Sequence, residues 1–179
     1  MTAQITAGAV KALREETGAG IMDCKRALEQ AGGDAEQAKT ILREQGLAST
    51  EKKAGRETGQ GLVESYIHTV GGVGRIGALV EINCETDFVA RTDEFKQLAR
   101  EVALQVAAMN PRFITREEAP PEVVEAEGLT AEQVEAASLL SQDYIRDTSR
   151  TIGQLIKEAV AKTGENIRVR RFARFELGR

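Results

Sequence analysis

The 179-residue sequence contains no tryptophan, one histidine, two cysteines and three prolines. Each scarcity argues against a class of function. With His68 as the single imidazole and Cys24 and Cys84 sixty residues apart, there is no paired ligand spacing of the kind that holds zinc. A thiol nucleophile would need a nearby base; His68 is the one histidine candidate, and nothing in its neighbourhood positions it. Two cysteines do not make a disulfide framework and suit a reducing compartment. No apolar run approaches the roughly 20 residues that a membrane-spanning helix needs. The segment Met1-Thr2-Ala3-Gln4 lacks the basic patch and apolar stretch of a secretory leader. The expectation is a cytoplasmic chain without membrane association, metal or cofactor.

What is present is ordinary for a globular protein: 41% hydrophobic and 29% charged residues, with a net charge of −4. The charge is unevenly spread. Residues 111–147 hold three basic against nine acidic side chains, and 148–179 hold eight against three. An acidic total is not that of a general nucleic-acid binder, and the basic end can pair with the acidic middle as readily as with an external anion.

Hydrophobic periodicity divides the chain. Thr6 can cap a first helix that stops at Thr17-Gly18, and a second runs from Ile21 to Gln30. Asp34 can cap a third, expected to end at Gly46. Residues 48–60 turn polar and read as a linker. The period then shifts to two: Leu62–Thr69 and Arg75–Glu85 read as strands joined by a glycine-rich hairpin loop, with Ile76, Ala78, Val80, Ile82 and Cys84 on one face. Thr92–Met109 is an amphipathic helix along Phe95, Leu98, Ala99, Val102, Ala103 and Val106. Short helical pieces are expected over 111–147, another helix over Thr148–Lys162, and a last strand over Asn166–Leu177. Strands, helices, then one strand predict an α+β fold: a three-helix unit at 1–47, then an antiparallel sheet covered by helices at 61–179.

Several signals admit two readings. Gly72, Gly74 and Gly77 spell G-x-G-x-x-G, but a dinucleotide site needs a helix to open there, and the following residues are strand-like, which favours a hairpin. Cys24 falls on the apolar side of its helix and reads as core. In the last strand, Arg168, Arg170 and Arg174 share a face with Phe172 by simple alternation; the arrangement fits RNA, and fits a salt-bridged sheet surface better. Phe88, at the corner where a strand ends and a helix begins, is either core or an exposed anchor for a partner's pocket.

Two segments narrow these choices. Thr17-Gly18-Ala19-Gly20-Ile21-Met22-Asp23-Cys24-Lys25-Arg26-Ala27-Leu28 and Asn83-Cys84-Glu85-Thr86-Asp87-Phe88-Val89-Ala90-Arg91 resemble, in order and spacing, the signature segments of the elongation factor Ts family. Thr151–Glu158 and Gly164–Arg171 add to the likeness, which is weakest over 111–147.

The resemblance implies an N-terminal domain like ubiquitin-associated domains, and a guanine-nucleotide exchange factor without covalent chemistry whose partner is elongation factor Tu. It implies that Asp87 and Phe88, with Thr86 before them, enter the partner's nucleotide domain and disturb its Mg²⁺ region. It further implies partner contacts at Arg14, Ile21, Met22, Lys25 and His68. Longer family members carry two core submodules and an inserted coiled coil. This chain has room for one, so the expectation is a homodimer that restores the pair. A peptide-binding adaptor and an RNA-binding protein are the alternatives; an enzyme comes last, since no nucleophile, base and orienting group converge in sequence.

Overall fold

The computed structural model describes residues 5–178, apart from the side chains of residues 47–51. The first four residues, on which the absence of a leader was argued, lie outside the described residues, as does part of the 48–60 segment's side-chain detail.

Three helices form first: α1 (Ala7–Thr17), α2 (Ile21–Gln30) and α3 (Ala35–Lys53). Their ends follow from local chemistry. Thr6 Oγ1 accepts from the Ala9 amide at 3.2 Å, Asp34 Oδ1 accepts from the Gln37 amide at 3.0 Å, and the Gly18 amide donates to the Arg14 carbonyl at 2.8 Å. Leu13, Cys24, Ala27, Leu28, Ala31 and Ala38 close into a small core of their own. Gly46 does not end α3, contrary to the expectation; the helix continues through Lys53. An interior glycine costs a helix about 1 kcal/mol, which packing can offset. Here the missing side chain lets α3 approach the residue Ala161 closely, since a Cβ on Gly46 would stand 3.3 Å from the Ala161 methyl.

The remaining chain builds a three-stranded antiparallel sheet in the order β1 (Gln60–Val70), β2 (Val73–Cys84), β5 (Arg168–Glu176). Val70 pairs with Val73 across Gly71-Gly72, both at positive φ (59° and 79°), the backbone a tight hairpin requires. The glycine string therefore belongs to a hairpin: Gly72 is in the turn, and Gly74 and Gly77 lie on β2, where Ile67 covers both. The inner face carries Ala78, Val80, Ile82 and Cys84, all buried. Helix α5 (Asp93–Met109) lies across it and buries Phe95, Leu98, Val102 and Val106. Full burial of each such side chain contributes about 2 kcal/mol relative to exposure. Helix α8 (Ile152–Thr163) closes the core with Ile152, Ile156 and Val160.

Two expectations for the second half are corrected. Residues 147–151 are a strand, β4 (Asp147–Thr151), paired with β3 (Asp143–Tyr144), so α8 begins four residues later than expected. The reason is a reciprocal cap: Thr151 Oγ1 accepts from the Gln154 amide, and Gln154 Oε1 accepts from the Thr151 amide. The arginine face is also broken. A register shift at Glu81/Ile82 pairs Ile82 with Val169 and Glu81 with Arg171, so one extra residue displaces the alternation. Phe172 and Arg174 pair with the inward Val80 and Ala78, and Arg174 donates to the Ala107 carbonyl at the end of α5. Arg171 lies on the outer face and pairs with Glu81 at 2.7 Å.

Between α5 and β3 the chain forms α6 (Pro121–Glu127), α7 (Ala131–Ala136) and a short 3-10 turn (Leu139–Ser141). Buried polar groups anchor the β3–β4 hairpin to α5. Tyr144 Oη donates to Glu101 Oε2 at 2.7 Å, and the fully buried Gln105 bonds the Asp143 carbonyl and the Ile145 amide. The sheet's outer face is the opposite in character. Val63, Ile67, Leu79 and Phe175 stand exposed there as a set of large apolar side chains on adjacent strands. No helix among the described residues is long and apolar enough to cross a membrane.

Candidate functional site

Strand β2 ends at Cys84, the last rung opposite Gln60. The chain then turns through Glu85 and Thr86 into a four-residue helix, α4 (Asp87–Ala90). Thr86 is extended, and its hydroxyl oxygen accepts from the Val89 amide at 3.4 Å, which caps α4. Thr92 Oγ1 donates to the Val89 carbonyl at 2.8 Å and accepts from the Phe95 amide at 3.2 Å, so the same short stretch ends α4 and starts α5. Ala90 faces the core while Phe88, two residues earlier, points away from it.

Of the two readings of Phe88 left open by the sequence, the core reading is excluded. Phe88 is 80% exposed, more than any other large hydrophobic side chain among the described residues. An aromatic ring held in water forgoes about 2 kcal/mol of burial. Asp87 beside it is half-exposed, and its carboxylate pairs with Arg91 at 2.8 Å. The Cys84 thiol beneath the corner donates to the Thr86 carbonyl. Burial, followed by the charge of Glu165, pushes its pKa up to about 11, so it is a neutral thiol near pH 7.

The other expected residues fall in two further places. Arg14, Ile21 and Lys25 line one shallow hollow on the N-terminal helices together with Ile5 and Val10, and Met22, 64% exposed, follows Ile21 on the same turn. Lys25 is also engaged with Glu29 at 3.7 Å. His68 lies near the hairpin end of β1, exposed, stacked at 6.5 Å on Tyr66 and opposite Ile76. Along the β1–β2 ladder that rung is eight residues from the Gln60–Cys84 rung, roughly 26 Å at about 3.3 Å per residue. Thr86, Asp87 and Phe88 are thus brought together, the N-terminal set is brought together, and His68 stands apart from the Thr86–Phe88 corner.

Sequence reasoning missed the residues that hold the corner. Glu165 accepts from the Glu85 and Thr86 amides and from the Thr86 hydroxyl, and Asn166 donates its amide to Glu85 Oε1. These partners lie about eighty residues away along the chain, so no local spacing marks them. Among the described residues there is no group of three or more His, Cys, Asp or Glu side chains placed to hold a metal ion.

The family described as "Elongation factor TS" matches residues 37–137. The chain is 50% identical to an Elongation factor Ts of Coprothermobacter proteolyticus, covering 98% of this chain and 99% of that one. It is 52% identical to one of Carboxydothermus hydrogenoformans, covering 97% and 89%, and 50% identical to one of Thermotoga petrophila, covering 98% and 97%. A two-segment signature, an α+β fold with a helical N-terminal unit, and identity of this order along the whole chain lead to one assignment: the chain belongs to the elongation factor Ts family of translation elongation factors.

Proposed function

We propose that this chain is a guanine-nucleotide exchange factor that acts in the cytoplasm on elongation factor Tu and performs no covalent chemistry. The observation that carries the reading is the Asp87–Phe88 corner: an aromatic side chain 80% exposed on a capped turn, beside a carboxylate. A ring already presented to solvent inserts into a partner pocket with little loss of conformational freedom. The carboxylate next to it brings negative charge toward the partner's Mg²⁺–phosphate region. Mg²⁺ neutralises phosphate charge and holds the nucleotide in GTPases, so a partner that stabilises the magnesium-disturbed state weakens GDP binding. The hollow at Arg14, Ile21 and Lys25, with Met22, supplies a second contact on the N-terminal helices.

The working form in this reading is a homodimer. The apolar outer face formed by Val63, Ile67, Leu79 and Phe175 is of the kind that a second copy covers. Within one subunit His68 and Phe88 lie at opposite ends of the hairpin. In a dimer one Tu molecule engages Phe88 of one subunit and His68 of the other.

Linkage supplies the test. If this chain weakens GDP binding to Tu by some factor, GDP weakens its own binding by the same factor. Titration calorimetry is expected to give tighter binding to nucleotide-free Tu than to Tu saturated with GDP and Mg²⁺. Equal affinity for the two forms would remove the exchange activity, because a ligand that does not discriminate between states shifts neither.

A further inference from the structure

We infer that Glu165 is the residue that sets the position of the Asp87–Phe88 corner, and so is a positioning residue for the exchange activity; the inference rests on the function proposed above. Ala90 and Val89 anchor the far end of the corner on the core, but apart from the Cys84 thiol on the Thr86 carbonyl its leading residues, Glu85 to Phe88, have little of their own to hold them. Helix α4 is four residues long, too short to be stable through its own hydrogen bonds. Phe88 is 80% exposed and so gains little from packing. The Glu85 and Thr86 amides lie beyond the last rung of the sheet ladder, Gln60–Cys84.

Glu165 supplies what is missing with both carboxylate oxygens. Oε2 accepts from the Glu85 amide at 3.1 Å and the Thr86 amide at 3.0 Å, while Oε1 accepts from the Thr86 hydroxyl at 2.6 Å. With its proton directed at Glu165, the Thr86 hydroxyl turns its lone pair toward the Val89 amide and caps α4. The next residue closes the arrangement from the other side. The buried Asn166 donates its amide to Glu85 Oε1 at 2.6 Å and its side-chain nitrogen to the Ala54 and Arg56 carbonyls, at 3.2 and 2.9 Å. One dipeptide after α8 therefore ties the start of the Phe88 turn to the segment that leaves α3.

The test is a double-mutant cycle on the full chain, read by release of fluorescent GDP from elongation factor Tu. Glu165→Ala is expected to reduce the acceleration roughly tenfold in the wild-type background and to have little further effect when Phe88→Ala is already present. Glu165→Gln retains an acceptor for both amides but places a donor against the Thr86 hydroxyl, so it is expected to give a loss between those of wild type and Glu165→Ala, and that loss should also disappear in the Phe88→Ala background. The glutamine variant also keeps the inference testable if the alanine variant fails to fold. Amide hydrogen exchange at Glu85 and Thr86 should be faster in Glu165→Ala and near wild type in Glu165→Gln. Equal losses in the two Phe88 backgrounds would make Glu165 merely structural and overturn the inference. So would unchanged acceleration by a folded Glu165→Ala. If the wild-type chain itself accelerates nothing, the exchange reading falls and the inference with it, a result distinct from an active wild type matched by an equally active variant.

Discussion

Gly153, in the first turn of α8, sits against the backbone of the 3-10 turn: a Cβ built on it would stand 2.8 Å from the Leu140 carbonyl oxygen. That distance is shorter than real Cβ contacts, and the obstacle is main chain rather than a yielding side chain. Replacement by alanine normally favours a helix by about 1 kcal/mol. Here it should act in the opposite sense and destabilise by about 1–3 kcal/mol, because either α8 or the 3-10 turn must move. Urea unfolding of Gly153→Ala against wild type checks the sign; a stabilised variant would contradict the close packing.

Tyr144 carries an alkaline dependence. Burial, then its hydrogen bond to Glu101, pushes its pKa up to about 12, against an ordinary value near 10. A raised pKa on an acid means that the folded state keeps a proton the unfolded state has lost. The contribution is therefore full below about pH 10 and lost as pH rises toward about 12. Tyr144→Phe removes the donor to the buried Glu101, whose carboxylate keeps Arg146 at 3.0 Å. The variant should be less stable by about 2 kcal/mol near neutral pH. Its deficit should shrink as pH approaches about 11, since only the wild type still has that proton to lose. Urea midpoints for both proteins across this range give the answer; a gap that widens with pH would contradict the assignment.

The outer sheet face yields a prediction about assembly. Leu79 is about half-exposed and Phe175 largely exposed in the single chain, so charged replacements there should not unfold it. If a second copy covers this face, Leu79→Lys combined with Phe175→Glu should convert a dimer into a folded monomer in sedimentation experiments. A wild-type monomer would contradict the dimer itself, and a dimer indifferent to both substitutions would place the contact elsewhere.

Much of the architecture was legible because it rests on local chemistry. The caps Thr6 and Asp34 and the alternating run from Ile76 to Cys84 each act within a few residues, and the structure agrees with each. The errors arose where a distant partner decided. Gly46 reads as a helix end by itself, but α8 packs against it and α3 continues. Arg168, Arg170 and Arg174 share a face only if the strand is regular, and pairing with β2 inserts a bulge. Thr148–Arg150 has no helical fault except that Asp143-Tyr144 is available to pair, although the Thr151–Gln154 capping pattern was readable. At the candidate site, Thr86, Asp87 and Phe88 were legible as a signature, whereas Glu165 was not, since its role exists only once β2 and the end of α8 meet.

The central claim is that Phe88 makes this chain an exchange factor, and stopped-flow release of a fluorescent GDP from elongation factor Tu tests it most directly. The wild-type chain is expected to accelerate release strongly, and Phe88→Ala to lose about tenfold or more of that acceleration, equivalent to about 1.4 kcal/mol of barrier. An unchanged rate with the wild-type chain would contradict the function, and full acceleration by Phe88→Ala would contradict the role given to Phe88.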